Sequence, residues 1–123
     1  LISILCSNIG MDVYTKTASI CRMTEQYINE NYSDVNLNIS NVAAHFNISP
    51  TYLSGQFKEY TGKKIIDFIN EVRLSKAKEM MSEGRYTMAV IAKMSGFGHV
   101  RTFNRVFKKY EGITPSEYMK KNF

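Results

Sequence analysis

The chain has 123 residues, 44% of them hydrophobic, which is enough for one compact domain or two small lobes and too much for a disordered tail. Charged residues make up 22%, with 16 Lys and Arg against 11 Asp and Glu, a formal net charge of +5 at pH 7. No run approaches the ~18 consecutive apolar residues a membrane span needs, and two cysteines, Cys6 and Cys21, are too few for a disulfide scaffold or a zinc site.

The apolar start, Leu1 to Gly10, lacks the basic leading region and cleavage site of a signal peptide. With no initiator Met, it reads as a piece of a longer protein, expected in a reducing cytoplasm and without membrane contact of its own. Residues 1–15 show no clear pattern and are expected to be a linker or the tail of a preceding domain, with one double-lobed domain over 16–123. The charge is uneven. Residues 1–57 hold two basic side chains against four acidic ones, and residues 58–123 hold fourteen against seven. Such an excess points to a polyanionic partner, or else to a solvated helix face.

Two prolines, seven glycines and helical periodicity cut the chain into short helices, with no strand-type alternation. The first helix is predicted from about Ser19 to Tyr32, with Ile20, Met23, Tyr27 and Ile28 on one stripe. The second follows Asn38, a good N-cap, and turns Val42, Ala43 and Phe46 inward. Ser49-Pro50 starts a third, an N-cap hydroxyl followed by Pro at the first helical position. It carries Leu53, Phe57 and Tyr60 and stops at Gly62. A long helix over about 65–83 buries Ile65, Phe68, Ile69, Val72, Ala77, Met80 and Met81, and Gly84 closes it. A short helix from Thr87 turns Ile91 and Ala92 inward, and Gly96-Phe97-Gly98 makes a tight turn. The sixth helix spans about His99 to Tyr110, with Phe103, Val106, Phe107 and Tyr110 inward. The seventh opens with Thr114-Pro115-Ser116-Glu117, a complete capping box.

The chain also repeats itself. At an offset of fifty, Leu53 pairs with Phe103, Phe57 with Phe107, Lys58 with Lys108, Tyr60 with Tyr110 and Gly62 with Gly112. The helices before them align at forty-nine, Val42-Ala43 against Ile91-Ala92, so the second copy has one more residue in its turn. Each copy is a short helix, a tight turn and a longer helix, the helix-turn-helix pattern whose second helix can enter a major groove. The expected fold is therefore all-α. It has seven helices in two helix-turn-helix lobes, over about 19–62 and 85–123, joined by a long linker helix.

Two such units in tandem are specific, and the second carries a signature: Ile91-Ala92, Gly96-Phe97, Phe103, Arg105, Phe107-Lys108-Lys109-Tyr110, Gly112 and Thr114-Pro115-Ser116-Glu117-Tyr118. With Arg73-Leu74 and Ala77-Lys78 of the long helix, it resembles the DNA-binding domain of the AraC/XylS family of bacterial transcription regulators, over about residues 20–121. The resemblance implies sequence-specific binding of double-stranded DNA for transcription regulation, activation in particular. It also implies two recognition helices in adjacent major-groove segments, RNA polymerase as a partner, and an absent N-terminal sensory or receiver domain.

On the sixth helix Arg101, Asn104, Arg105 and Lys108 recur at i, i+3, i+4 and i+7. Arg suits bidentate donation to guanine and Asn to adenine. The family's pattern places base or phosphate contacts at Val100, Arg101, Asn104 and Arg105; Lys108 and Lys109 read as phosphate contacts, which position without specifying. The equivalent face of the third helix is Thr51, Ser54, Gly55 and Lys58. Gly55 is a departure where the family commonly has a long side chain, so the second copy is expected to carry more of the side-chain readout. Gly98 stands at the family's N-cap position, and Arg73 is read as either an intramolecular clamp or a phosphate contact. The aromatic residues, Tyr60 among them, are at core spacing. No catalytic constellation, phosphate loop or metal-ligand spacing appears, so neither an enzyme nor a cofactor is expected. The alternative is a helical interaction module that uses the same basic face on an acidic partner.

Overall fold

The computed structural model describes residues 9–123, with side chains from residue 18 onward. Among the described residues are seven helices and no strand: α1 (Ile9–Asn31), α2 (Ile39–His45), α3 (Pro50–Thr61), α4 (Ile65–Glu83), α5 (Met88–Met94), α6 (Val100–Glu111) and α7 (Pro115–Asn122). The capping signals account for most boundaries. Asn38, Ser49, Thr87 and Thr114 each accept a backbone N–H of the first turn through the side chain, and Gly62 and Gly112 end α3 and α6.

Two boundaries differ from the sequence reading. α1 begins at Ile9, ten residues before Ser19, so the backbone over 9–15 is helical rather than patternless. The β-branched Val13, Thr15 and Thr17 weaken the local helix signal there; residues 1–8 lie outside the described part. The N-cap of α6 is His99, not Gly98, and it makes no side-chain capping bond.

The chain divides into two compact units. The first takes α1 as far as Glu30 together with Asn38–Asp67; the second takes Asn31–Leu37 and Phe68–Phe123. In the first unit, α1 buries Ala18, Cys21, Thr24 and Ile28. Of the predicted stripe only Ile28 is fully buried; Ile20 and Tyr27 are half-buried and Met23 is 48% exposed. Small side chains line the buried face because they allow close packing, and a search for large apolar residues passes over them. The Cys21 thiol donates to the Gln56 carbonyl of α3 at 3.6 Å, and burial, then Glu25, raises its pKa. Val42, Ala43, Leu53, Phe57 and Ile65 complete this core. Tyr60, expected inside, is 39% exposed. Phe46 is half-buried at the end of α2, its ring edge-on to Tyr27, which stacks on His45 at 4.2 Å.

The second unit buries Leu74, Ala77, Met80, Met81, Ile91, Ala92, Phe97, Phe103, Val106 and Phe107 in one cluster. The rings of Phe97, Phe103, Phe107 and Tyr118 follow one another at centroid distances of 5.3, 5.6 and 5.4 Å. Arg73 is buried, 7% exposed, and donates to the carbonyls of Tyr32 and Asp34. It is thus an intramolecular clamp.

Candidate nucleic-acid interface

Each unit contains one helix-turn-helix. In the first, α2 and α3 are joined by Phe46–Ser49, and Asn47 takes a left-handed φ of 57°. The amide of Ile48 bonds back to the Ala43 carbonyl at 3.1 Å. In the second, α5 and α6 are joined by Ser95–His99, and Phe97 bonds the Ala92 carbonyl at 2.9 Å in the same way. Here Gly96 has φ 98° and Gly98 φ 87°. Gly98 is the extra residue the repeat offset calls for, and its amide also bonds the Ala92 carbonyl. Both φ values suit glycine alone.

These turns present α3 and α6 in equivalent ways. On α6, Phe103 and Phe107 are wholly buried and Val106 nearly so, while Arg101, Asn104, Arg105, Lys108 and Lys109 are exposed. One stripe is therefore anchored and the other is turned to solvent. No ion pair among the described residues engages Arg101 or Arg105, so neither guanidinium is spent on internal pairing. Val100 differs from the rest of the row: it is half-buried and packs against the core. Lys109 lies over the Tyr110 ring at 5.6 Å.

The far end of α6 is pinned to α4 within the same unit. Asn70 Nδ2 donates to the Tyr110 hydroxyl at 3.1 Å, and Lys78 Nζ meets Glu111 Oε2 at 2.8 Å. A rigid backing of this kind is what a reading helix needs, because base recognition depends on fixed positions for the donors.

On α3, Leu53 and Phe57 are wholly buried, and Thr51, Ser54, Gly55 and Lys58 are exposed. Every outward residue named from the sequence, Val100 excepted, thus lies on the solvent face of its helix. Tyr52 is 43% exposed beside the row. The sequence reading passed over Val90 and Met94, both exposed on α5. Their i, i+4 spacing was the available signal, but a seven-residue helix has too few turns for it to stand out.

Residues 42–121, which contain both turns and both exposed rows, match the family described as a helix-turn-helix domain. The chain belongs to this family, in its AraC-type form. The AraC-type domain is 37% identical over 93 residues to the arabinose operon regulatory protein of Escherichia coli K12, covering 76% of this chain and 32% of that protein. Its fold matches the C-terminal domain of AraT, a response regulator from Geobacillus stearothermophilus, with a TM-score of 0.82 and 31% identity, over 85% of this chain and 86% of that one. It also matches the DNA-binding domain of AdpA, a global transcriptional factor solved in complex with a target DNA. There the TM-score is 0.74 at 17% identity, over 81% of this chain and 89% of that one, a likeness of fold alone. The AraC-type domain spans about a third of the length of the relatives it matches.

Proposed function

We propose that this chain binds double-stranded DNA sequence-specifically and thereby regulates transcription. The observation that carries the reading is the outward row of α6. Arg101, Asn104, Arg105 and Lys108 stand exposed on the second helix of a helix-turn-helix, backed by buried Phe103, Val106 and Phe107. Two guanidinium groups and a carboxamide are the donors that discriminate guanine and adenine in a major groove. Lys108 and Lys109 suit phosphates, which position the helix without specifying a base. Thr51, Ser54, Gly55 and Lys58 form the second reading face, and the exposed part of Val100 lies beside the first. α6 carries more of the side-chain readout than α3. The expected target is two short elements ~10 bp apart, one turn of the duplex, each read by one helix.

The finer reading is activation from the bacterial cytoplasm, with RNA polymerase as a partner and an N-terminal sensory or receiver domain supplying the signal. The likeness to a response regulator's C-terminal domain favours a receiver.

The test is selection from a randomised duplex library at near-physiological salt, followed by affinities of Arg105→Ala and Ser54→Ala. Expected is a two-block motif and a larger loss of specificity from Arg105→Ala. An equal or larger loss from Ser54→Ala overturns the division of labour between the two helices. Binding with no sequence preference overturns the DNA-reading function and favours an acidic protein partner on the same face.

A further inference from the structure

The fifty-residue offset pairs each outward position of α3 with one of α6: Thr51 with Arg101, Ser54 with Asn104, Gly55 with Arg105 and Lys58 with Lys108. All eight residues are exposed. The lysines are retained, but where α6 carries two guanidinium groups and a carboxamide, α3 carries two short hydroxyls and no side chain at all.

Nothing in the fold demands the glycine. A Cβ at Gly55 would meet no atom within 4 Å, and its φ is helical rather than left-handed. Glycine is among the weakest helix formers, so within the chain itself almost any residue but proline would serve the helix better. The bare position leaves the helix backbone open to close approach by something outside the chain.

The bases differ in what they ask of such a surface. Guanine asks for a long paired donor and adenine for a carboxamide, whereas thymine offers a C5 methyl group that is met by apolar contact. Ahead of Lys58, the α3 row has nothing long enough for guanine. It does have the Thr51 methyl and, one turn on, a backbone with no Cβ in the way. We infer that α3 reads thymine methyl groups, with Thr51 Cγ2 and the Gly55 Cα as the contact surface. The two halves of the target then differ in kind: guanine and adenine donor contacts under α6, thymine methyl contacts under α3. This inference rests on the proposed reading of both helices as recognition helices.

The experiment starts from the duplex selected by the chain. Arg105→Ala identifies the α6 block as the one whose guanine preference is lost. Thymines in the other block are then replaced singly by deoxyuridine, which removes the methyl group alone. Expected is an affinity loss of about fourfold for each contacted methyl, and none for thymines outside both blocks. Gly55→Arg, which restores what the second copy has, should move the preferred base at one position of that block from thymine to guanine and end its sensitivity to deoxyuridine. Gly55→Ala should raise the melting temperature yet weaken binding to that block. Should wild-type α3 select guanine, or deoxyuridine leave affinity unchanged, this inference falls while the DNA-binding function stands. Should the wild-type chain bind without sequence preference, both fall together.

Discussion

Arg73 Nε donates to the carbonyl oxygen of Tyr32 at 2.9 Å. Its Nη2 donates to the Asp34 carbonyl at 2.8 Å, so one guanidinium fork ties the α1–α2 connection to α4 inside the second unit. Burial lowers the pKa of Arg73 and Asp34 pulls against that shift, so the cation is held mainly by backbone oxygens. We expect Arg73→Ala to destabilise the chain by about 2–4 kcal/mol, because it strands two carbonyls that have lost charged donors. Arg73→Lys should recover only part of this, since an ammonium cannot span both acceptors as a planar fork does. Urea unfolding midpoints of the two variants check this; an Arg73→Ala chain as stable as wild type would refute the clamp.

Gly96 lies against the same clamp. A methyl group there would run into the Tyr32 carbonyl and the Arg73 guanidinium, and φ is 98°. Gly96→Ala should cost about 2 kcal/mol or more from backbone strain and collision together. Combined with Arg73→Ala, the two losses should add to less than their sum, because the second substitution removes part of what the first collides with. A double-mutant cycle in urea measures that shortfall.

α6 begins without a side-chain cap. His99 has the extended N-cap conformation, φ −124° and ψ 151°, but makes no bond to the first turn. Ser49 and Thr114, at the same point of α3 and α7, do. His99→Ser should therefore stabilise the chain by about 1 kcal/mol. Thermal melts decide it, and an unchanged melting temperature would mean the first-turn amides of α6 are already satisfied by water.

Phe103 and Tyr60 separate core from surface among the aromatic residues. Phe103 is wholly buried between Phe97 and Phe107. Phe103→Ala should cost about 3–5 kcal/mol through lost transfer energy and the cavity left behind. Tyr60→Ala, at an exposed position, should stay within about 1 kcal/mol of wild type. Equal losses would place Tyr60 in the core after all.

The capping box of α7 makes a pH prediction. Glu117 accepts from the Thr114 backbone at 2.9 Å and from its hydroxyl at 3.1 Å, and these bonds, the backbone one foremost, lower its pKa. A carboxylate whose folded pKa lies below its unfolded value stabilises the fold above the unfolded value and loses that contribution as pH falls through the folded one. The protection of α7 amides, corrected for intrinsic exchange, should therefore fall as pH drops below the ordinary glutamate value. Glu117→Gln should show no such transition.

Local signals determined most of this fold. Asn38, Ser49-Pro50, Thr87, the Thr114 capping box and the closing glycines act within one turn of chain, so they are legible without tertiary context, and four of the seven helices begin where those residues predict. The tandem copies and the basic row of α6 were equally legible, because a residue's place on a helix face follows from spacing alone. Tertiary packing decided the rest. Whether Arg73 reached a phosphate or a carbonyl depended on the loop over 31–37, forty residues earlier in the chain, folding against α4. Beside Ile28, small side chains rather than the predicted Ile20, Met23 and Tyr27 line the buried face of the described part of α1, because how closely neighbouring helices approach is a property of both partners. Tyr60 shares its spacing with Tyr110, yet Tyr110 meets Asn70 and is half-buried while Tyr60 lies exposed. A repeat in the sequence carries over the helix face, but not how deeply that face is buried.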